Sequence, residues 1–252
     1  MILKIQGIVL GQTPLGAQDK GLTLLTSEMG LLEAYAKNTR RKKSQAASAV
    51  EVLSYSEFCL FQGKTRYIVD SADLIANFSG LRGDLGKLSL AAYFAELTRY
   101  VLPSEDNGGE CLRLLLNTLH LLEKGKRSCD FLKAVYELRL LSLCGFAPDV
   151  GGCCACGETE ADFFFLPGEG QVCCKSCIGG ISADIYRMQM PVGVRMAFAH
   201  VAQSPERSIY SFKLSPEGEK AFRALSEAFM IFHTGAQFKS LEFYKSMEGL
   251  SS

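Results

Sequence analysis

Apolar and polar positions along the chain change their period three times. Over the first 80 residues the pattern is that of short strands. Residues 2–10 mix Ile, Leu and Val with Lys4 and Gln6, and Gly7 sits inside the run. Pro14, Gly16 and Asp19 supply turn chemistry before a second run over 22–26. Gly30 ends the next turn, and residues 31–36 form a third strand. Residues 58–61 and 65–69 flank Gln62-Gly63-Lys64 and read as a hairpin. Five short strands in this length predict a small closed barrel, because closure removes exposed edges. A five-stranded OB-fold has this size, and an SH3-like barrel gives much the same pattern.

Near Gly80 the period becomes helical. Leu90, Phe94, Leu97 and Val101 recur at spacings of four and three, which predicts a helix over 87–102. Residues 103–109 form a loop, and 111–123 is apolar on most faces, as in a buried helix. Phe131, Val135, Leu138 and Leu141 continue the helical spacing toward Gly145, and Pro148 stops it. Residues 151–180 are Gly- and Cys-rich. Helices then return, the best marked starting at the N-cap Ser215 with Pro216 at its first position. Its expected buried stripe is Phe222, Leu225, Phe229 and Phe232, with Gly235 as C-cap. The segments are therefore 1–80, 81–150, 151–180 and 181–252. The helices on both sides of the Cys-rich insert are expected to pack into one bundle.

Ten cysteines change this picture most. Nothing at the start of the chain resembles an export signal. Lys4 and Gln6 break the first apolar run and no A-x-A-like site follows. The expected compartment is the cytoplasm, with no membrane partner, and a disulfide framework is not expected there. Six cysteines cluster at 153, 154, 156, 173, 174 and 177. Cys153/Cys156 and Cys174/Cys177 form two C-x-x-C pairs, each able to aim two thiolates at one ion, and together they supply a tetrahedral site. Phe163-Phe164-Phe165 between them reads as a strand of a zinc ribbon. Cys154 and Cys173 are competing ligands, although their spacing suits a knuckle less well. Four thiolates leave no open position, so one structural zinc is expected rather than a catalytic one. A redox dithiol or plain buried cysteines is the other reading of the same residues. Cys59, Cys111, Cys129 and Cys144 stand alone among apolar neighbours and are expected in the core.

Charge matters locally. The chain carries 27 basic and 27 acidic residues, but 151–180 holds one basic and four acidic residues. Thiolates would add to that negative field, so the zinc module is not expected to bind nucleic acid alone. Residues 1–80 hold nine basic and seven acidic residues. Five of the nine are Lys37, Arg40, Arg41, Lys42 and Lys43, on a loop after the third strand. Tyr35, Tyr55, Phe58, Phe61 and Tyr67 lie nearby and offer stacking rings, so the loop is a candidate single-strand DNA contact. A solvated charged loop beside core aromatics is the competing reading.

Motifs for catalysis are missing. There is no G-x-S-x-G and no H-E-x-x-H, and the His residues at 120, 200 and 233 stand singly. Gly80 to Ser89 resembles a phosphate loop, but its spacing is G-x₅-G-K and Leu88 stands where Ser or Thr should meet magnesium.

Several stretches, in order and spacing, carry a resemblance to a known family. In the barrel they are Gly7-Ile8-Val9-Leu10, Asp19-Lys20, Leu24-Leu25-Thr26, Gly30-Leu31, Ala36-Lys37 and Arg40-Arg41-Lys42-Lys43-Ser44. Beyond it are Ala92-Tyr93, Glu96-Leu97, Glu137-Leu138-Arg139-Leu140-Leu141 and Gly145-Phe146-Ala147-Pro148-Asp149. Cys153 to Gly157, Cys174/Cys177 and Lys239-Ser240-Leu241 complete the series. Over nearly its whole length the chain resembles the RecO family of bacterial recombination and repair mediators. The resemblance implies an α+β protein with an N-terminal five-stranded OB-fold barrel, a helical domain and an inserted four-cysteine zinc ribbon. It implies no catalytic turnover. It also implies binding of single- and double-stranded DNA, annealing of complementary strands, and action with RecR in replacing single-strand binding protein by RecA. Some family members lack the zinc cysteines, and this sequence departs from the family by doubling Cys at both knuckles. The alternative class is a zinc- or thiol-dependent enzyme using the C-x-x-C pairs, which thiol turnover would reveal.

Overall fold

The computed structural model describes residues 2–15, 19–37, 45–63, 66–102 and 108–250. The chain groups into two compact units, residues 1–126 with 238–252, and residues 127–237.

The first unit begins with a closed barrel. Strand β1 (Ile2–Leu15) is long enough to serve two partners. Its first half pairs antiparallel with β4 (Tyr55–Gln62), and its second half with β2 (Asp19–Thr26). The register shifts between Val9 and Gly11, a bulge that bends β1 around the barrel. Strand β3 (Gly30–Ala36) follows β2, and β5 (Tyr67–Ala76) follows β4. A short parallel pairing of Tyr35 with Ile68, flanked by Ala34–Tyr67 and Ala36–Val69, closes the order β1-β2-β3-β5-β4. This is the OB-fold arrangement. Alternating positions fill it: Ile5, Val9, Leu22, Leu24, Leu32, Phe58 and Leu60 are all buried. A one-turn helix, α1 (Gln45–Ser48), precedes β4.

Three helices belong to the same unit. Helix α2 (Leu85–Val101) starts at Asp84, whose carboxylate accepts the Lys87 N–H at 3.0 Å. An acidic cap thus occupies the helix start where a phosphate loop would need to receive an anion. Helix α3 (Gly108–Lys124) buries Cys111, Leu115, Leu119 and Leu122. Helix α7 (Lys239–Leu250) returns to pack on α2, where the Ser240 N–H donates to Glu96 at 3.3 Å. Just before α7, the Phe238 ring meets Tyr93 at 5.7 Å and Tyr100 at 5.5 Å, both edge-on.

The second unit is organised on α4 (Cys129–Leu143), buried continuously from Phe131 to Leu141. Helices α5 (Val192–Gln203) and α6 (Pro216–Thr234) pack on it. Helices from both sides of the Cys-rich segment therefore do meet, while α2, α3 and α7 group with the barrel. Three charges travel into the unit with α4. Lys133 lies 2.9 Å from the wholly buried Glu137 and 2.6 Å from Glu227 of α6. Burial disfavours a charged Lys133, but the two carboxylates outweigh it and raise its pKa above the ordinary 10.5. Arg139 donates to the Val201 carbonyl at 3.2 Å, and its bond to Ala202 helps cover the last carbonyls of α5.

Helix α6 starts at Ser215, whose hydroxyl accepts the Gly218 N–H at 3.1 Å, and ends at Gly235 with φ 59°. Its buried face differs from the expected stripe in one member: Phe232 is 49% exposed and stacks on Tyr186 at 5.6 Å. Ten residues on from Phe222, it has rotated about 80° off the stripe at 100° per residue. Ser226 and Met230 are buried beside Phe222, Leu225 and Phe229 instead.

The isolated cysteines also need correction. Cys111 is buried, but Cys59, Cys129 and Cys144 are half-buried. Cys59 falls on the outward phase of β4 between the inward Phe58 and Leu60, and the other two sit at the ends of α4. An apolar neighbourhood in sequence does not determine which face a residue takes. No helix among the described residues is long and apolar enough to cross a membrane.

Candidate functional site

The Cys-rich segment forms a four-stranded sheet in the order β6-β8-β7-β9: β6 (Asp149–Cys153), β7 (Phe163–Leu166), β8 (Gln171–Cys174) and β9 (Met188–Met190). Strands β6 and β8 run parallel with Cys153 beside Val172, so their C-terminal ends deliver Cys153 and Cys174 to one place. After Cys153 the chain turns, and the Gly157 N–H returns to the Cys153 carbonyl at 2.8 Å. Gly157 has φ 77°, a conformation that suits Gly far better than residues with a Cβ. The second turn repeats the device, the Cys177 N–H donating to the Cys174 carbonyl at 3.1 Å.

The four sulfurs of Cys153, Cys156, Cys174 and Cys177 lie within 4.8 Å of one another. Cys156 and Cys174 are 3.8 Å apart. A tetrahedron of thiolates at ~2.3 Å from a central ion has edges of about 3.8 Å, so the group can hold a metal ion. Burial alone would raise the Cys153 thiol, but N–H groups of Cys174, Ala155 and Cys156 donate to its sulfur and bring it down to about 5. The Cys174 N–H contact is 3.3 Å. Cys156 and Cys177 in the same group are shifted upward, so a thiolate is favoured at Cys153 while those neighbours keep their protons.

The two extra cysteines fall outside this group. Cys154 is exposed. Cys173 is buried, its sulfur lies 4.0 Å from that of Cys153, and its thiol donates to the Cys174 carbonyl at 3.7 Å. Burial, and then the neighbouring Cys153, push it up to about 12. A thiol held protonated and turned to a backbone carbonyl is not a metal ligand.

Arg195 of α5 ties the first knuckle in place. Its guanidinium donates to the carbonyls of Val150 at 3.0 Å, Gly151 at 3.1 Å and Thr159 at 2.9 Å. It also lies 4.8 Å from the Phe163 ring centroid. One rigid side chain therefore joins the strand before the C-x-x-C turn, the loop after it and β7. The sequence carried no signal for this, since Arg195 lies far from the cysteines in a helical stretch.

Of the expected nucleic-acid residues, Lys37 is exposed immediately after β3. Arg40, Arg41, Lys42 and Lys43 lie outside the described residues. The nearby rings divide by face: Phe58 is in the barrel core, Phe61 is exposed, and Tyr35 is half-buried on the outer side of β3. A further basic stretch, Lys124, Lys126 and Arg127, is partly committed to structure, since Arg127 sits 4.9 Å from the Phe131 ring centroid. Arg66, which sequence reasoning did not single out, stands beside Tyr35 with its guanidinium 5.7 Å from the ring centroid. In the second unit a surface cavity of about 420 Å³ lies by Tyr186, Met188 and Ile231. Its lining also holds Lys220, Arg223 and Glu227, and Glu227 is engaged by Lys133 at 2.6 Å.

Comparison with known proteins joins these parts. The family model described as "Recombination protein O N terminal" matches residues 1–78, and "Recombination protein O C terminal" matches residues 82–242. A protein of Acetivibrio thermocellus named "DNA repair protein RecO" is 32% identical over 249 residues, covering 98% of this chain and 97% of that one. A protein of the same name from Alkaliphilus metalliredigens is 30% identical over 250 residues, covering 98% and 100%. A third, from Symbiobacterium thermophilum, is 29% identical over 252 residues, covering 98% of each.

Proposed function

The chain belongs to the RecO family of recombination proteins, and from that premise we propose that it is a non-enzymatic mediator of DNA repair and recombination. In this reading it binds single- and double-stranded DNA and anneals complementary strands. With RecR it helps exchange single-strand binding protein for RecA. Its place of action is the cytoplasm, at the nucleoid during repair. The observation that carries the reading is the family match on both sides of the barrel's end, with relatives named for DNA repair. The OB barrel with Lys37 at the start of the cationic run Arg40, Arg41, Lys42 and Lys43 supports it.

Annealing has a simple physical basis here. Cations that neutralise phosphates reduce the repulsion between two strands held on one protein. The strands then search for register, and base pairing supplies the free energy. Phosphate contacts position DNA without reading its sequence, so any complementary pair serves. No nucleotide hydrolysis is needed.

The four-thiolate centre is assigned one structural zinc. A complete tetrahedral thiolate set leaves no position for water or substrate, so its role is to fix the two knuckles. Held together on one ion, the four thiolates leave no free dithiol for exchange with a substrate, which weighs against the enzyme alternative. The test is a strand-annealing assay with purified protein and no ATP. Accelerated pairing at full rate supports the proposal, and a strict ATP requirement overturns it.

A further inference from the structure

We propose that Tyr35, Lys37 and Arg66 form a base-stacking station for single-stranded DNA on the outer face of the barrel, where β3 meets β5. The proposal rests on the reading of this barrel as a DNA-binding surface and names side chains beyond the charged loop.

The placement follows from strand register. In the parallel pair, Tyr35 lies opposite Ile68, so Arg66, two residues before Ile68, shares its face. Lys37, two residues after Tyr35, shares that face as well. Side chains from separate parts of the chain therefore converge on one ring. Arg66 Cζ lies 5.7 Å and Lys37 Nζ 6.0 Å from its centroid, and both residues are exposed. Across β2, the residue opposite Tyr35 is Gly21, which puts no side chain beside the ring. The Tyr35 hydroxyl donates to Asp19, so the ring is held from its far end.

A ring fixed at its hydroxyl, with two exposed cations over it, is suited to a nucleotide. A base has a π-face that stacks on tyrosine or on a guanidinium plane, and its phosphate is an anion for the cations beside it. The other charges facing this place set the direction. Asp19 sits at the hydroxyl end, and Glu33 lies two residues back along β3, where it accepts the Thr23 hydroxyl at 2.7 Å. Phosphates are therefore directed to the Lys37 and Arg66 side, toward the end of β3 from which the cationic run departs. The loops between β1 and β2 and between β4 and β5 of an OB-fold border its oligonucleotide face, and Asp19 and Arg66 stand at their edges.

The experiment uses the full chain with a dye-labelled oligo-dT, and measures affinity as a function of salt. Tyr35→Leu is expected to weaken binding about tenfold with the salt slope unchanged, because stacking releases no counterion. Tyr35→Phe should bind like the original, since the ring and not its hydroxyl does the stacking. Arg66→Ala should weaken binding and flatten the slope by about 0.7, the value of one single-strand phosphate contact. In a second measurement, an oligonucleotide carrying iodinated uracil should photocrosslink to the peptide containing Tyr35. An original protein that binds while Tyr35→Leu binds equally well, with no crosslink at Tyr35, overturns the station alone. An original protein that fails to bind oligo-dT overturns both the station and the DNA-binding reading. Tyr35→Phe losing as much as Tyr35→Leu would reduce Tyr35 to a structural partner of Asp19 and also overturn the station.

Discussion

Replacing Lys133 with Met should cost about 4 kcal/mol. Glu137 is wholly buried, and Lys133, at 7% side-chain exposure, is its cation at 2.9 Å. Removing one partner of a buried pair costs roughly 3–5 kcal/mol, because the buried carboxylate loses its cation. With a urea m-value of about 2 kcal/mol/M, the midpoint for the second unit should fall by about 2 M. Far-ultraviolet circular dichroism would follow this through the helices. The double variant Lys133→Met, Glu137→Leu should recover most of the loss, since it removes both charges at similar volume. Glu227, at 26% side-chain exposure, can turn to water. The pH profile gives an independent check. The folded-state pKa of Lys133 is raised, so its contribution is complete below the unfolded value of 10.5 and lost as pH rises through the folded value. The original protein should therefore lose stability there, and the double variant should lose less. A midpoint shift under about 0.5 M in the single variant, or a double variant no more stable than the single, would refute this account.

Metal analysis of freshly purified protein should find one zinc per chain, and Cys156→Ser should lose it, with faster amide exchange over residues 151–180. Arg195→Ala should destabilise the second unit by about 1.5–3 kcal/mol, from lost charged hydrogen bonds, and should speed loss of metal to a chelator. Replacing Arg40, Arg41 and Lys43 with Ala should flatten the salt dependence of single-strand binding by about two in slope, at ~0.7 per phosphate contact, and equally for all base sequences. Unchanged affinity and slope in a folded triple variant would make that run a solvated loop.

Local pattern revealed those features that depend on neighbours in sequence. Alternation marked the strands of the barrel, and the N-cap Ser215, Pro216 and Gly235 marked α6 because capping chemistry acts within one turn. The pairing of Cys153/Cys156 with Cys174/Cys177 was readable because a thiolate knuckle is itself a local turn. Strands β6, β8 and β9 escaped notice, being three to five residues long and rich in Gly, Cys or Met. Which face Cys59 and Phe232 would take depended on a phase that a single substitution of neighbours hides. Arg195 and Arg66 were invisible for a different reason. Their partners, Val150, Thr159 and Tyr35, lie more than 30 residues away, and only folding brings them together.

The return of the chain at Phe238 has a consequence for biosynthesis. Helix α2 leaves the ribosome early, yet the ring that meets Tyr93 and Tyr100 comes after the whole stretch 127–237. At about 5–20 residues per second this delay is on the order of ten seconds. Throughout it the barrel unit stands without its last helix and keeps an apolar flank open to water. The segment bearing the two C-x-x-C turns is made in that interval, so the barrel unit can cover its flank only after that segment has left the ribosome.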